Sequence, residues 1–157
     1  MNAQDEDLRR QVLDIGAGCF ALQARKTANL IARVYNHAVA GLGLEMSQFS
    51  TLFLIAAGGG ETVSDAARLL GVERSTLVRN LALLQRDKLI VKSEGGSAGY
   101  RLTSRGRALT RQAVPRWAAV QRQIEDALEL PGERDPRPGM KALRAAARGV
   151  SSISDTR

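Results

Sequence analysis

Apolar residues recur at three- and four-residue spacings along most of this chain and alternate only in two short pieces, which predicts packed helices with a small sheet. Phe20, Leu22, Ala24, Ala28, Ile31, Val34, Tyr35 and Ala38 carry the helical spacing through a region expected to run from Asp5 to Leu42. Gly16 and Gly18 should loosen or break it, since a glycine inside a helix costs about 1 kcal/mol. Gly41 and Gly43 are its stop signal. Ser47 is the expected N-cap of a short helix from Gln48 to Ala57, ended by Gly58–Gly60. Thr62-Val63 reads as a brief strand, and Ser64 as the cap of a second short helix through Leu70. Gly71 then stands where a left-handed helix end belongs.

A third helix starts at Val72 or Glu73 and runs to Leu89-Ile90. Ile90–Lys92 and Tyr100–Leu102 flank a Gly/Ser-rich segment and predict a β-hairpin. Thr103 opens another helix, from Ser104 to about Leu130, with an interruption at Pro115 and a stop at Pro131. The stretch PGERDPRPG reads as a linker before a last helix from Met140 to about Val150. The expected fold is therefore mainly α with a small β-wing: a winged helix–turn–helix between flanking helices.

The segment GVERSTLVRNLALLQRDKLI carries the most chemical information. At about 100° per residue, Leu81 and Leu84 lie within about 40° of Leu77 and form a buried stripe. That stripe is expected to pack on the preceding helix through Ala66, Leu69 and Leu70. Ser75, Arg79 and Arg86 fall on the opposite side, with Thr76 on one flank, and no carboxylate occurs from Arg74 to Arg86. A face that is small at its start and cationic at intervals suits a DNA major groove. Small hydroxyl residues let the backbone approach, and an arginine can pair with a guanine edge or a phosphate. Taken alone, the same arginines also fit a solvated helix face.

Charge distribution shifts that balance. The 157 residues carry a formal charge of +7. Glu73 to Arg107 holds eight Lys/Arg against three Asp/Glu, so +5 of the +7 sits in the helix and hairpin. Lys92 and Arg101 are the candidate backbone contacts of the wing. Hydrophobic residues at 44% are enough for an ordinary core, and aromatics at 4% leave it to be built from Leu, Ala, Val and Ile. One cysteine and one histidine rule out a disulfide framework and a Cys/His zinc cluster, and no cofactor is implied. No nucleophile–base pair and no phosphate loop is present, so the composition points away from an enzyme. Without a span-length apolar run or a signal-like start, the chain reads as cytoplasmic with no membrane partner. A sequence-independent architectural DNA binder or a protein-contact winged helix is the alternative.

The pieces GLEMSQFSTLFLIA, TVSDAARLLGVERSTLVRNLALLQRDKLI and YRLTSRGRAL resemble the multiple-antibiotic-resistance regulator (MarR) family of bacterial transcription factors, over about Cys19 to Leu130. The resemblance implies an obligate homodimer with intertwined terminal helices, gripping a palindromic double-stranded operator with two winged lobes. Residues 1–43 and 111–157 would then be the dimerisation segments and 44–110 the DNA-binding lobe. Ser75, Thr76 and Arg79 would enter the major groove, with Arg74 close by. One departure is visible. Family wings carry an Asp-x-Arg pair before the Leu-Thr, where this chain has Glu94, Gly95 and Gly96. Its wing is therefore expected to touch backbone through Lys92 or Arg101.

The resemblance also implies a repressor released by a signal. Cys-Phe-Ala-Leu at Cys19 is similar to the one-cysteine organic-hydroperoxide repressors, in which tyrosines of the partner subunit bond the thiol. Tyr35 is the candidate partner, while the second tyrosine position is Met46 here. A structural cysteine packed as a small hydrophobe is the other reading. For a small-molecule effector, an aromatic acid or a phenol, the candidate pocket residues are Phe49, Phe53, Trp117 and His37, with Tyr35 beside them. The aromatics also read as core, and His37 as a solvent-facing residue near a helix end.

Overall fold

Glycine breaks and caps divide the chain into seven helices and a two-stranded sheet among the described residues, 3–128 and 135–154 of a computed structural model. The helices before the wing are α1 (Ala3–Gly18), α2 (Phe20–Ala40), α3 (Met46–Ala56), α4 (Val63–Leu70) and α5 (Arg74–Arg86). Then come β1 (Ile90–Ser97), β2 (Tyr100–Leu102), α6 (Ser104–Ala127) and α7 (Arg137–Ser154). Residues 1–122 form one compact unit and 123–157 a second. Cys19 alone separates α1 from α2, where the paired glycines predicted a break. The expected ends at Leu130 and Pro131 lie outside the described residues.

Several caps differ from expectation. Helix α3 begins at Met46, not Gln48, because the Gln48 side chain reaches back to accept from the Glu45 N–H at 2.9 Å. Thr62-Val63 is not a strand. Thr62 is the N-cap of α4, its Oγ1 accepting from the Asp65 N–H at 3.1 Å while the Asp65 carboxylate accepts from the Thr62 N–H, so Ser64 caps nothing. Hydrogen bonds from Thr62 hold the Asp65 carboxyl below its ordinary range. Pro115 does not interrupt α6. Arg111 and Pro115 are both exposed, so the carbonyl that loses its donor lies on the watered side. Helix α7 starts three residues early, since Pro138 is tolerated in a first turn and Asp135 accepts from the Arg137 N–H at 2.9 Å.

Within the first unit, the core gathers Val39, Leu52, Leu77, Leu84, Ile90 and their neighbours where α2, α3, α4, α5 and the sheet meet. The expected leucine stripe is buried, Leu77 completely. Leu69 is not part of it: at 62% exposure it faces solvent, and Ala66 and Ala67 supply the α4 contact, letting the two helices approach closely. The strands pair antiparallel, with Ile90 opposite Leu102, Val91 opposite Arg101 and Lys92 opposite Tyr100, before a bulge that brings Ser97 to Tyr100. The first strand is thus longer than the three residues expected.

Candidate nucleic-acid interface

Gly71 turns α4 into α5 with φ 66°, a left-handed conformation that costs other residues a Cβ clash. Its N–H and that of Val72 close the last turn of α4 on the Ala67 and Arg68 carbonyls, so α5 leaves in a fixed direction. Leu77, Leu81 and Leu84 then seat α5 on the core. Asn80 adds a polar tie that the sequence pattern did not single out. It is 7% exposed, and its amide donates to the Ser47 carbonyl at 3.3 Å and to Thr51 Oγ1 at 3.5 Å. A lone amide on the edge of the leucine stripe was the available signal.

With the inner side so held, Arg74, Ser75, Thr76, Arg79 and Arg86 are all exposed on α5. Arg74 and Arg79 have no ion-pair partner among the described residues, and Arg86 bonds Asp87 at 3.0 Å. The guanidinium of Arg79 is therefore available to an anion or a base edge, while part of the charge of Arg86 is already answered. Lys92 and Arg101 are exposed on the wing. They occupy adjacent registers, Lys92 opposite Tyr100 and Arg101 opposite Val91, so alternation puts them on opposite faces of the ribbon.

The wing is anchored at both ends. Ala98 N–H donates to the Gly60 carbonyl at 2.7 Å, and Ser97 Oγ donates to the Gly59 carbonyl. At the other end, Thr103 caps α6 by accepting from the Gly106 N–H at 2.9 Å and donates to the Lys88 carbonyl at 2.7 Å. A Cβ on Gly106 would fall inside the van der Waals shell of the Leu89 carbonyl oxygen. That close approach is the physical content of the Leu102-Thr103 and Gly106 spacing.

A family model described as MarR family matches residues 42–99. The transcriptional regulator MosR of M. tuberculosis is 33% identical, with a TM-score of 0.74 over 85% of this chain and 98% of its own. The chain belongs to the MarR family. MosR has also been solved in complex with DNA, and that structure matches with a TM-score of 0.72, 33% identity, 84% of this chain and 98% of the other. The repressor CouR, solved with p-coumaroyl-CoA, shares the fold at 24% identity and a TM-score of 0.67, over 85% and 94% of the two chains. Sequence comparison with curated proteins finds no significant match. The protein is a DNA-binding transcriptional regulator and not an enzyme.

The residues considered for sensing in this MarR-family chain do not converge on one place. Phe49 and Phe53 lie 5.2 Å apart between ring centres, and Phe53 and Trp117 6.4 Å. Together they line a cleft of about 330 Å³. His37 is exposed and is not among its walls. Tyr35 is buried and donates its hydroxyl to Gln121. Cys19 is half-buried at the N-cap of α2, and the rise along that helix puts it roughly 24 Å from Tyr35 in the same chain. No group of three His, Cys, Asp or Glu residues able to hold a metal occurs among the described residues. No described helix is long and apolar enough to cross a membrane.

Proposed function

We infer that this chain acts as a homodimeric repressor that reads a palindromic operator and lets go on binding an effector. The observation that carries the reading is the outer face of α5: exposed, free of carboxylates, small at Ser75 and Thr76, and cationic at an unpaired Arg79. Ser75, Thr76 and Arg79 meet base edges in the major groove, while Arg74 and Arg86 meet phosphate. The wing meets backbone through Lys92 or Arg101, since its tip offers Glu94, Gly95 and Gly96 and no arginine for a minor groove. Residues 44–110 serve as the DNA-binding lobe, with 1–43 and 111–157 as the dimerisation segments. That MosR has been solved with DNA supports this use of the shared fold.

Selection from a random double-stranded DNA pool at near-physiological salt tests the reading. A palindrome with half-sites about one helical turn, roughly 10 base pairs, apart is expected of a dimer with one helix in each major groove. A pool without a motif would overturn sequence readout and favour the architectural or protein-contact alternative.

A small-molecule effector is supported by the aromatic cleft at Phe49, Phe53 and Trp117, and by CouR, whose structure holds an aromatic acyl thioester. Release by oxidation is a second reading, favoured by the partial exposure of Cys19, which the buried structural alternative does not require. Peroxide should then free DNA from the wild type and not from Cys19→Ser. Equal sensitivity of both proteins would remove this reading.

A further inference from the structure

Among the described residues of α5, one large apolar side chain is exposed: Val78, at 45%. It lies about 100° round the helix from the buried Leu77 and as far again from Arg79. That puts it on the side of α5 away from Asn80, whose bonds to Ser47 and Thr51 turn the opposite edge towards α3.

Single exposed apolar residues are common and by themselves ask for no partner. Position separates this one. Its outward neighbours one turn before and after are Ser75 and Ala82, both exposed, and Arg79 follows it in the chain. Val78 therefore stands in the N-terminal half of α5, among the residues read above as base contacts, where a helix entering a major groove meets base edges.

The surroundings of Val78 narrow what it can meet. No second large apolar side chain is exposed on α5, so it belongs to no stripe of the kind that packs on another helix. It has no polar atom, so it gains no hydrogen bond from phosphate or sugar. Branching at Cβ fixes χ1, so its two methyl groups are held in place before binding and little freedom is lost on contact. A short side chain reaches a base only where the helix backbone comes close, and the small Ser75 and Ala82 leave that approach open. Among base edges in the major groove, one group is apolar: the 5-methyl of thymine. A guanine, cytosine or adenine edge in the same place would shed the hydration of its polar atoms against the valine, with no hydrogen bond in return.

We propose that Val78 reads the 5-methyl group of a thymine in each operator half-site, beside the base that Arg79 reads. The assignment rests on the operator reading above and adds to it the identity of a base.

Uracil in place of thymine tests it, because the exchange removes the methyl group and leaves base pairing as it was. With the operator selected from the random pool, each thymine of one half-site is replaced in turn and binding of the full chain is titrated. One replacement should weaken wild-type binding about fourfold, the worth of one buried methyl-sized group. Val78→Ala changes an exposed helical position and should leave the melting temperature as it was. This variant should bind the thymine and uracil forms alike. A half-site without thymine would overturn the proposal, as would a wild type indifferent to every replacement. A uracil effect that persists in Val78→Ala would assign the methyl contact to another residue and overturn it too. A pool that yields no motif would instead strike the operator reading, and this inference with it, so the two failures are distinct.

Discussion

Arg79 and Gly106 show two ways in which one residue can matter to the DNA-binding lobe. Arg79 is exposed and unpaired at the middle of α5, so its removal leaves the fold alone and deletes a donor fork. Arg79→Ala should cost about 1–3 kcal/mol on the selected operator and little on random DNA, read by a binding titration on both. Equal weakening on both would make Arg79 a phosphate contact with no role in base reading. Gly106 is buried, and the carbonyl of Leu89 occupies the space a side chain would need. That oxygen already accepts from the Thr103 N–H at 3.0 Å, so it cannot retreat without breaking the junction between the wing and α6. Gly106→Ala should lower stability by about 1–3 kcal/mol, as overpacked sites do, in a urea titration. An unchanged midpoint would mean the strand end yields more easily than its hydrogen bonds suggest.

At the scale of elements, the wing gives the sharpest expectation. Register places Val91 with Arg101 on one face of the ribbon and Lys92 with Tyr100 on the other, and Tyr100 packs against the core. A single duplex beside the ribbon is therefore reached by one of the two cations. Of Lys92→Ala and Arg101→Ala, one alone should reduce the slope of log affinity against log salt by about 1, the contribution of a single phosphate contact. A fall of that size in both variants would show that the ribbon twists or shifts on binding. The elements themselves were largely legible, because the leucine stripe of α5, the Gly71 turn and the two strand cores rest on local periodicity and on glycine's backbone freedom. Apart from Pro115, which leaves α6 unbroken, what was misread lay at element ends. Thr62 outcompetes Ser64 as a cap because Asp65 answers it, and Gln48 moves the start of α3 past a serine that looked sufficient. Leu69 faces water because alanines already fill the narrow contact with α5. For the site, the exposed residues of α5 were readable from angle alone. The hydrogen bonds of Asn36 and Asn80 were not, since they reach across 10 and 33 residues.

At the scale of the molecule, burial is uneven. Among the described residues every buried hydrophobic residue lies between Tyr35 and Val120, so α1 from Gln4 on, the first half of α2 and α7 as far as Val150 contribute none of them. Their apolar side chains are nevertheless ordered in stripes: Leu8, Val12 and Ile15 on α1, and Met140, Leu143, Ala147 and Val150 on α7. Spacings of three and four along a helix put such residues on one face, and an exposed face of that kind is unfavourable in water unless something covers it. Basic residues Lys141, Arg144 and Arg148 border the stripe along one flank of α7, which keeps it narrow and suits helix-on-helix packing. Each stripe suits a helix of a second copy of the chain, as the inferred homodimer requires. Sedimentation equilibrium at micromolar concentration should therefore return twice the 16.9 kDa of one chain. Leu143→Glu should shift the mass towards the monomer and weaken operator binding, because two half-sites then have to be found separately. If the wild type sediments as a monomer and still selects a palindrome, the stripes belong to a different partner, and the two lobes meet only on DNA.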